Sequence, residues 1–193
     1  MHNVDLNQLA SLINKNIPGA NAVVNVAPDA KLDSSINIEA SHITKTAQWL
    51  RSNTELPFNA LQAITGIDWM ESMEVCYIFA NFDVNASREL ILKVRLTDRV
   101  DPKVDSIMKV YPAADWQERE VYDMFGIKFN NHKDLRRILC PDDWQGWPLR
   151  KDYVAAKYYN GIEIYPEAKM NFEDRDFIVR QAMIKKAQET KAQ

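Results

Sequence analysis

An alternation of apolar and charged side chains runs from Arg88 to Thr97 and dictates a β-strand with one covered face. Its apolar members are Leu90, Leu92, Val94 and Leu96, and its charged members are Glu89, Lys93 and Arg95. The two preceding runs, 59–69 and 75–84, are largely apolar and are predicted to be neighbouring strands. The three segments together predict a sheet with a second layer of structure on its apolar face.

Helix signals before and after the strands supply that layer. Four residues are predicted N-caps, because their side chains accept hydrogen bonds from the first backbone N–H groups of a helix. They are Asp5, Ser41, Asp101 and Asp115. Glu118 stands three residues after Asp115 and completes a predicted capping box, and Gly126 is placed as the left-handed residue that ends the same helix.

The order of these elements predicts an α+β fold. Short β-rich runs at 22–27 and 35–39 add a hairpin that turns at Pro28. We predict a two-layer domain with a mixed sheet and helices packed on one face, followed by a loop-rich motif and an extended C-terminal tail. The predicted boundaries are 1–151 for the domain and 152–193 for an extension that we expect to become ordered on a partner.

The segment from 118 to 152 is unusually dense in charged and aromatic side chains. Within it, Glu120 and Asp123 lie three residues apart on the predicted helix, as an acid/base pair or a divalent-cation site would require. Alternatively, Arg119 pairs with Asp123 at i, i+4 and these charges are ordinary surface features. His132 is either a general base or a hydrogen-bonded structural residue.

Basic and aromatic residues share the rest of this segment. The basic ones are Arg136, Arg137, Arg150 and Lys151. Arginine forms bidentate bonds to phosphate or to carboxylates, including those of another subunit. The five glycines are isolated, so neither type of glycine-rich nucleotide loop occurs. Trp144 and Trp147 lie beside arginines, a composition typical of protein–protein contacts, although both could equally pack under the loops.

Composition excludes several classes of function. The net charge is −3 and the pI about 5.7, which disfavours binding to nucleic acid. With two cysteines and three histidines the chain is not expected to hold an iron–sulfur cluster or a structural zinc ion. The N-terminus lacks a signal-peptide pattern, and no apolar run reaches the ~20 residues of a membrane span, so we expect an unexported chain that reaches a membrane only through other proteins.

The same dense segment resembles the signature of the C subunit of NADH:quinone oxidoreductase, respiratory complex I. The positions that match the family pattern are Glu118, Arg119, Glu120, Asp123, Gly126, Ile127, Phe129, His132, Leu135, Arg136, Arg137, Ile138, Leu139, Gly146, Pro148, Leu149, Arg150, Lys151, Asp152 and Tyr153. Two positions depart from the pattern: Lys133 replaces the family's proline and Trp147 its histidine.

The resemblance implies a cofactor-free subunit of the hydrophilic arm. It implies the D, B and I subunits as partners, and iron–sulfur clusters, FMN, NADH and quinone held by other subunits. By the same resemblance, the assembly couples NADH oxidation and quinone reduction to proton translocation. The chain is expected to lie peripherally on the cytoplasmic side of the bacterial inner membrane, or on the matrix side in a mitochondrion, and to catalyse no reaction on its own. The residues expected to brace the motif or contact partners are Glu118, Arg119, Glu120, Asp123, His132, Arg136, Arg137, Trp144, Arg150, Lys151 and Asp152.

The sequence alone leaves two alternatives open. One is a homologous subunit of a membrane-bound hydrogenase or of a quinone reductase fed by another donor. The other is a free-standing metal-dependent hydrolase that uses Glu120, Asp123 and His132.

Overall fold

The computed structural model describes residues 5–26, 34–82 and 88–164. The helices are α1 (Leu6–Asn16), α2 (Ile43–Ser52) and α3 (Ala114–Phe125), with one 3-10 turn at Ala40–His42. The strands are β1 (Val23–Asn25), β2 (Ser35–Ile38), β3 (Ala60–Asp68), β4 (Met73–Asn81), β5 (Arg88–Leu96), β6 (Lys103–Asp105), β7 (Lys128–Asn130), β8 (Tyr158–Tyr159) and β9 (Ile162–Glu163).

Five strands form the main sheet, in the order β1-β2-β5-β4-β3. β2 lies parallel to β5, and the other neighbours are antiparallel, so the sheet is mixed as predicted. The hairpin pairing of β1 with β2 was also predicted, although its turn at Pro28 lies outside the described residues.

All three helices lie on one face of this sheet, which confirms the predicted two-layer α+β arrangement. The alternate leucines and valine of β5 are buried and share one apolar cluster with residues of α1 and α2. Gly66 of β3 is on the same face, because it pairs with Val75, which in turn pairs with Val94. A Cβ atom on Gly66 would lie 2.7 Å from the Phe125 ring of α3, so a glycine is needed where that helix crosses the strand.

Two predicted helix starts are wrong. Lys103–Asp105 is strand β6, paired in parallel with β7, and not the helix expected after Asp101. The carboxylate of Asp101 bonds instead to Lys103 at 2.6 Å and to Lys128 at 2.8 Å, across the two strands. The N-cap of α2 is His42 rather than Ser41, because the Ser41 hydroxyl bonds the Nδ1 atom of His42 at 2.9 Å and not a helical N–H group.

The predicted capping box of α3 is also wrong. The N-cap is Ala113, which makes no side-chain cap, and Asp115 lies within the first turn. The two other terminal predictions hold, since Asp5 caps α1 through the N–H groups of Asn7 and Gln8, and Gly126 ends α3 at a φ of 73°.

The contacts divide the chain into two units, Met1–Trp147 and Pro148–Gln193. The described part of the second unit carries the small antiparallel pair β8–β9. The boundary predicted at 151/152 and the partner-dependent order of the extension stay predictions, and most of that extension lies outside the described residues. Among the described helices, none is both long and apolar enough to cross a bilayer.

Candidate functional site

Residues 131–147, which we call the strap, follow α3 without forming a helix or strand of their own. Three contacts fix their course. Each is a hydrogen bond between a strap residue and the residue of α3 that precedes it by 17 positions. The pairs are His132 with Asp115, Arg136 with Arg119, and Cys140 with Asp123. Since the helical partners recur every four residues, they share one face of α3. The strap therefore runs along this face in the direction of the helix.

Asp123 is the main anchor of the strap. Its buried carboxylate accepts the backbone N–H groups of Ile138, Leu139 and Cys140 on Oδ2, at 2.7–3.0 Å, and Arg137 on Oδ1 at 2.7 Å. Burial alone would raise the pKa of this carboxyl, but these four donors outweigh burial and lower the pKa. The carboxylate is thus ionised and fully engaged within the chain.

Arg137 ties the end of the strap to the same anchor. Its guanidinium donates to the carbonyl of Asp123 at 3.2 Å, to that of Trp144 at 3.2 Å and to that of Gly146 at 2.8 Å. It also lies 4.5 Å from the centre of the Trp147 ring, a cation–π distance. The predicted i, i+4 pair of Arg119 with Asp123 is absent from these contacts, because Arg137 occupies that carboxylate.

Trp147 closes the strap against the C-terminal end of α3. Its ring packs edge-on to Tyr122 at 5.2 Å, and a Cβ atom on Gly126 would lie 2.5 Å from it. The indole packs within the first unit, which is one of the two interpretations that the sequence left open for it.

Glu118 joins α3 to the chain that follows β6. Its buried carboxylate accepts the hydroxyl of Ser106 at 2.5 Å and the N–H group of Ile107 at 2.8 Å. Burial raises the pKa of Glu118 from 4.5 to about 7, against the opposing effect of these two hydrogen bonds. No short-range sequence pattern indicates the Ser106 contact, which forms through a turn rather than within the helix.

His132 is engaged within the chain through both ring nitrogens. Its Nδ1 atom accepts the N–H group of Asp134 at 3.1 Å, so we assign the ring proton to Nε2. Nε2 then donates to the carbonyl of Asp115 at 3.2 Å and lies 3.8 Å from a carboxylate oxygen of Glu118. With both ring nitrogens engaged, no lone pair is left to take a proton from a substrate.

A second group of side chains on the same motif faces solvent. Trp116 is 63% exposed, and the Arg119 guanidinium lies 4.7 Å from the centre of its ring. Leu139 is 62% exposed, Glu120 is exposed, and Arg136 extends outward in a 3.0 Å pair with Asp134. We call Trp116, Glu120, Arg136 and Leu139 the outer row.

The remaining predicted site residues are more dispersed. Trp144 is half-buried on the strap. Arg150 and Asp152 are half-buried and Lys151 is exposed, all three within the second unit.

The hydrolase hypothesis requires Glu120, Asp123 and His132 to share one ion. Asp123 and His132 are instead engaged at different turns of α3, and Glu120 is exposed. In the part of the chain that the structure describes, no three His, Cys, Asp or Glu side chains converge as a metal site. The geometry gives this hypothesis no support.

The titration of Glu118 gives a testable pH dependence. The native state holds this proton more tightly than the unfolded chain, so the protonated carboxyl adds stability below pH 4.5 that is lost as the pH rises through about 7. Between pH 4.5 and 8, we expect the free energy of unfolding of the native protein to fall by roughly 2–3 kcal/mol more than that of the Glu118→Gln variant. Urea unfolding at pH 4.5 and 8 measures this, and parallel pH profiles for the two proteins would contradict it.

The motif thus braces a loop with its buried charged side chains and leaves Trp116, Arg136 and Leu139 exposed. The family model of the respiratory-chain NADH dehydrogenase 30 kDa subunit matches residues 36–159. The chain belongs to this family, that of the C subunit of NADH-quinone oxidoreductase.

Individual relatives agree. The chain is 42% identical over 120 residues to the NADH-quinone oxidoreductase C subunit of Chloroherpeton thalassium, covering 61% of this chain and 49% of that protein. It is 38% identical over 140 residues to the C subunit of Chlorobium phaeobacteroides, covering 68% and 83%. The alignment thus spans only about half of the first of these relatives.

A solved structure shares the fold. One chain of the membrane-bound sulfane sulfur reductase, an archaeal respiratory membrane complex, superposes with a TM-score of 0.63. The match covers 86% of this chain and 98% of that one at 23% identity.

Proposed function

We propose that the chain is a cofactor-free structural subunit in the hydrophilic arm of NADH:quinone oxidoreductase. The observation that carries this proposal is the division of the family motif into a buried bracing half and an exposed outer row. A catalytic motif would direct its charged groups toward a cavity, whereas Glu118, Asp123 and Arg137 are used on the chain's own backbone.

The protein would support an electron path that other chains contain. FMN, NADH, the iron–sulfur clusters and quinone bind those chains, and the assembly translocates protons. The D subunit, which helps shape the quinone site, and the iron–sulfur B and I subunits are the proposed partners. The chain is peripheral, on the cytoplasmic side of the bacterial membrane, and on its own it catalyses no reaction.

The outer row is the proposed contact surface for these partners. Exposed Trp and Arg side chains on a rigid support are the residues that most often dominate protein–protein binding. Arg150, Lys151 and Asp152 would add contacts from the second unit. The buried residues act on the partners only by fixing the strap.

A native gel tests the proposal. Host membranes are extracted with mild detergent, and the gel is stained for NADH dehydrogenase activity and probed for this chain. Co-migration in a large NADH-active band is the expected result, and migration of the chain as a free small protein would contradict it.

The same gel tests the second candidate, a subunit of a membrane-bound hydrogenase or of a quinone reductase with another donor. This candidate is supported by the fold shared with a chain of the sulfane sulfur reductase, because the same fold then occurs in a respiratory complex other than NADH:quinone oxidoreductase. It predicts a large band that is active with hydrogen or another donor and inactive with NADH.

Alanine substitutions of the two adjacent arginines should have different effects, because Arg137 stabilises the fold and Arg136 is proposed to contact a partner. Arg137→Ala is expected to lower the free energy of unfolding by roughly 2 kcal/mol, less than a full buried-pair loss because Asp123 keeps its three backbone donors. Arg136→Ala should change stability by less than about 0.5 kcal/mol and reduce incorporation into the complex. Urea unfolding measures the stability of both variants, and a native gel measures their incorporation into the complex. Equal effects of the two substitutions on both measurements would contradict the different roles assigned to Arg136 and Arg137.

A further inference from the structure

A second group of exposed apolar side chains lies at the turn between β3 and β4. Trp69 is 50% exposed and Met70 is 52% exposed, and both belong to the turn itself. Val100, in the loop after β5, is 90% exposed. We call Trp69, Met70 and Val100 the apolar tip.

Buried polar contacts hold the two loops of the apolar tip together. Asp68 is buried, and its Oδ1 accepts the N–H group of Met70 at 2.8 Å. Arg99 donates to both oxygens of Asp68, at 2.9 and 2.8 Å, which ties the loop that carries Val100 to the hairpin. Arg95 bonds the hydroxyl of Ser72 at 3.0 Å on the other side of the turn. The apolar side chains are thus presented by a rigid support.

Met70 adopts a backbone conformation that favours glycine. Its φ is 70°, where a side chain with a Cβ atom is strained. The chain nevertheless carries a long thioether here, half in solvent. Thioethers adapt well to apolar pockets, and a loop that is already ordered loses little entropy when it binds. Strain and exposure together are explained by a binding role for the side chain.

The charges around the apolar tip indicate what kind of surface it fits. Glu71 and Asp98 are exposed beside it, and these two carboxylates outnumber Arg95, the exposed cation at the turn, so the rim carries a net negative charge. Asp98 accepts the backbone N–H groups of Val100 and Asp101. The acidic rim is repelled by anionic lipid and complements lysine or arginine on a protein.

We propose that the apolar tip inserts into an apolar pocket, rimmed by Lys or Arg, on a neighbouring protein of the assembly. This surface is distinct from the outer row in its residues and would add a second contact to the one proposed there. The inference rests on the proposed function in one respect, namely that the chain belongs to an assembly.

The test measures incorporation into the complex for the double variant Trp69→Ala/Met70→Gly. Its matched control is Phe82→Ala, which removes an exposed aromatic side chain (65%) at the opposite end of β4. We expect the double variant to lose incorporation at least about tenfold on a native gel and the control to remain unchanged. Glu71→Lys should weaken incorporation more than Glu71→Gln. Equal incorporation of the double variant and the control would overturn the proposal.

Folding is tested separately. Met70→Gly alone relieves the strained φ, so the isolated variant should melt at or above the temperature of the native sequence. If the double variant fails to fold, hydroxyl-radical oxidation of Trp69 and Met70 in the unaltered complex decides the question. Protection relative to the isolated chain supports docking, and equal oxidation overturns it.

The other possible occupants give distinct outcomes. A dimer of the isolated chain that Trp69→Ala dissociates, or binding of the isolated chain to anionic vesicles through this turn, would replace the proposed partner and overturn the inference. If the unaltered chain enters no complex at all, the proposed function itself fails and this inference falls with it. If the chain enters the complex but Trp69 and Met70 remain as exposed there as in the isolated chain, this inference is overturned and the proposed function stands.

Discussion

An Asp123→Ala variant is expected to lose roughly 3–5 kcal/mol of its free energy of unfolding. The substitution leaves three backbone N–H groups and the Arg137 guanidinium without their acceptor at a buried position. Since the total stability of a domain is about 5–15 kcal/mol, much of the variant would be unfolded at modest temperature. Urea unfolding at pH 7 measures the loss.

The control for this variant is Glu120→Ala on the same helix. Glu120 is exposed and forms no hydrogen bond or ion pair within the part of the chain that the structure describes, so its loss should change stability by less than about 0.5 kcal/mol. Lowering the pH should also weaken the native protein as Asp123 becomes protonated, because its pKa is lowered by folding. Similar stabilities for the two variants would show that Asp123 does not anchor the strap.

Gly126→Ala is expected to cost roughly 2–4 kcal/mol. Two effects add up in this variant. A φ of 73° strains any residue with a Cβ atom, and that atom would overlap the indole of Trp147, which is braced by Tyr122 and Arg137. The melting temperature and the urea midpoint should both fall.

A second substitution separates the contribution of the overlap from that of the backbone strain. Adding Trp147→Ala to Gly126→Ala removes the overlap, and the pair should lose less stability than the sum of the single variants. Strict additivity would mean that Trp147 does not pack on Gly126 in solution.

Periodicity was sufficient to predict the layers of the fold. The alternation along β5 decides which face is covered, and it depends only on the two-residue repeat of a strand. Asp5 and Gly126 were also predictable, because a cap and a left-handed C-terminus depend on neighbours within one helical turn.

Local rules failed where a distant residue offered a better partner. Glu118 matched a capping box, yet Ser106 and Ile107 arrive from the chain after β6 and take its carboxylate into the interior. Asp123 matched an i, i+4 pair with Arg119, but Arg137 reaches it from 14 residues away. A buried carboxylate requires several donors at once, and the register of the strap that delivers them is not encoded in any short spacing.

The individual roles of the site residues do not follow from their sequence. Arg136 and Arg137 are adjacent and alike in sequence, yet the first side chain is exposed and the second donates to three backbone carbonyls. A constant separation of 17 residues between α3 and the strap becomes visible once the contacts are known.

The most direct test of a docking role for the outer row is its solvent accessibility within the intact complex. Hydroxyl-radical oxidation of Trp116 and Leu139 is measured in the purified assembly and in the isolated chain, with Phe82 as the internal reference. We predict that both outer-row residues become several-fold less reactive on assembly while the reference does not. Unchanged reactivity of Trp116 and Leu139 in a complex that contains the chain would contradict the claim that the buried residues of this motif fix the strap and its exposed residues contact a partner.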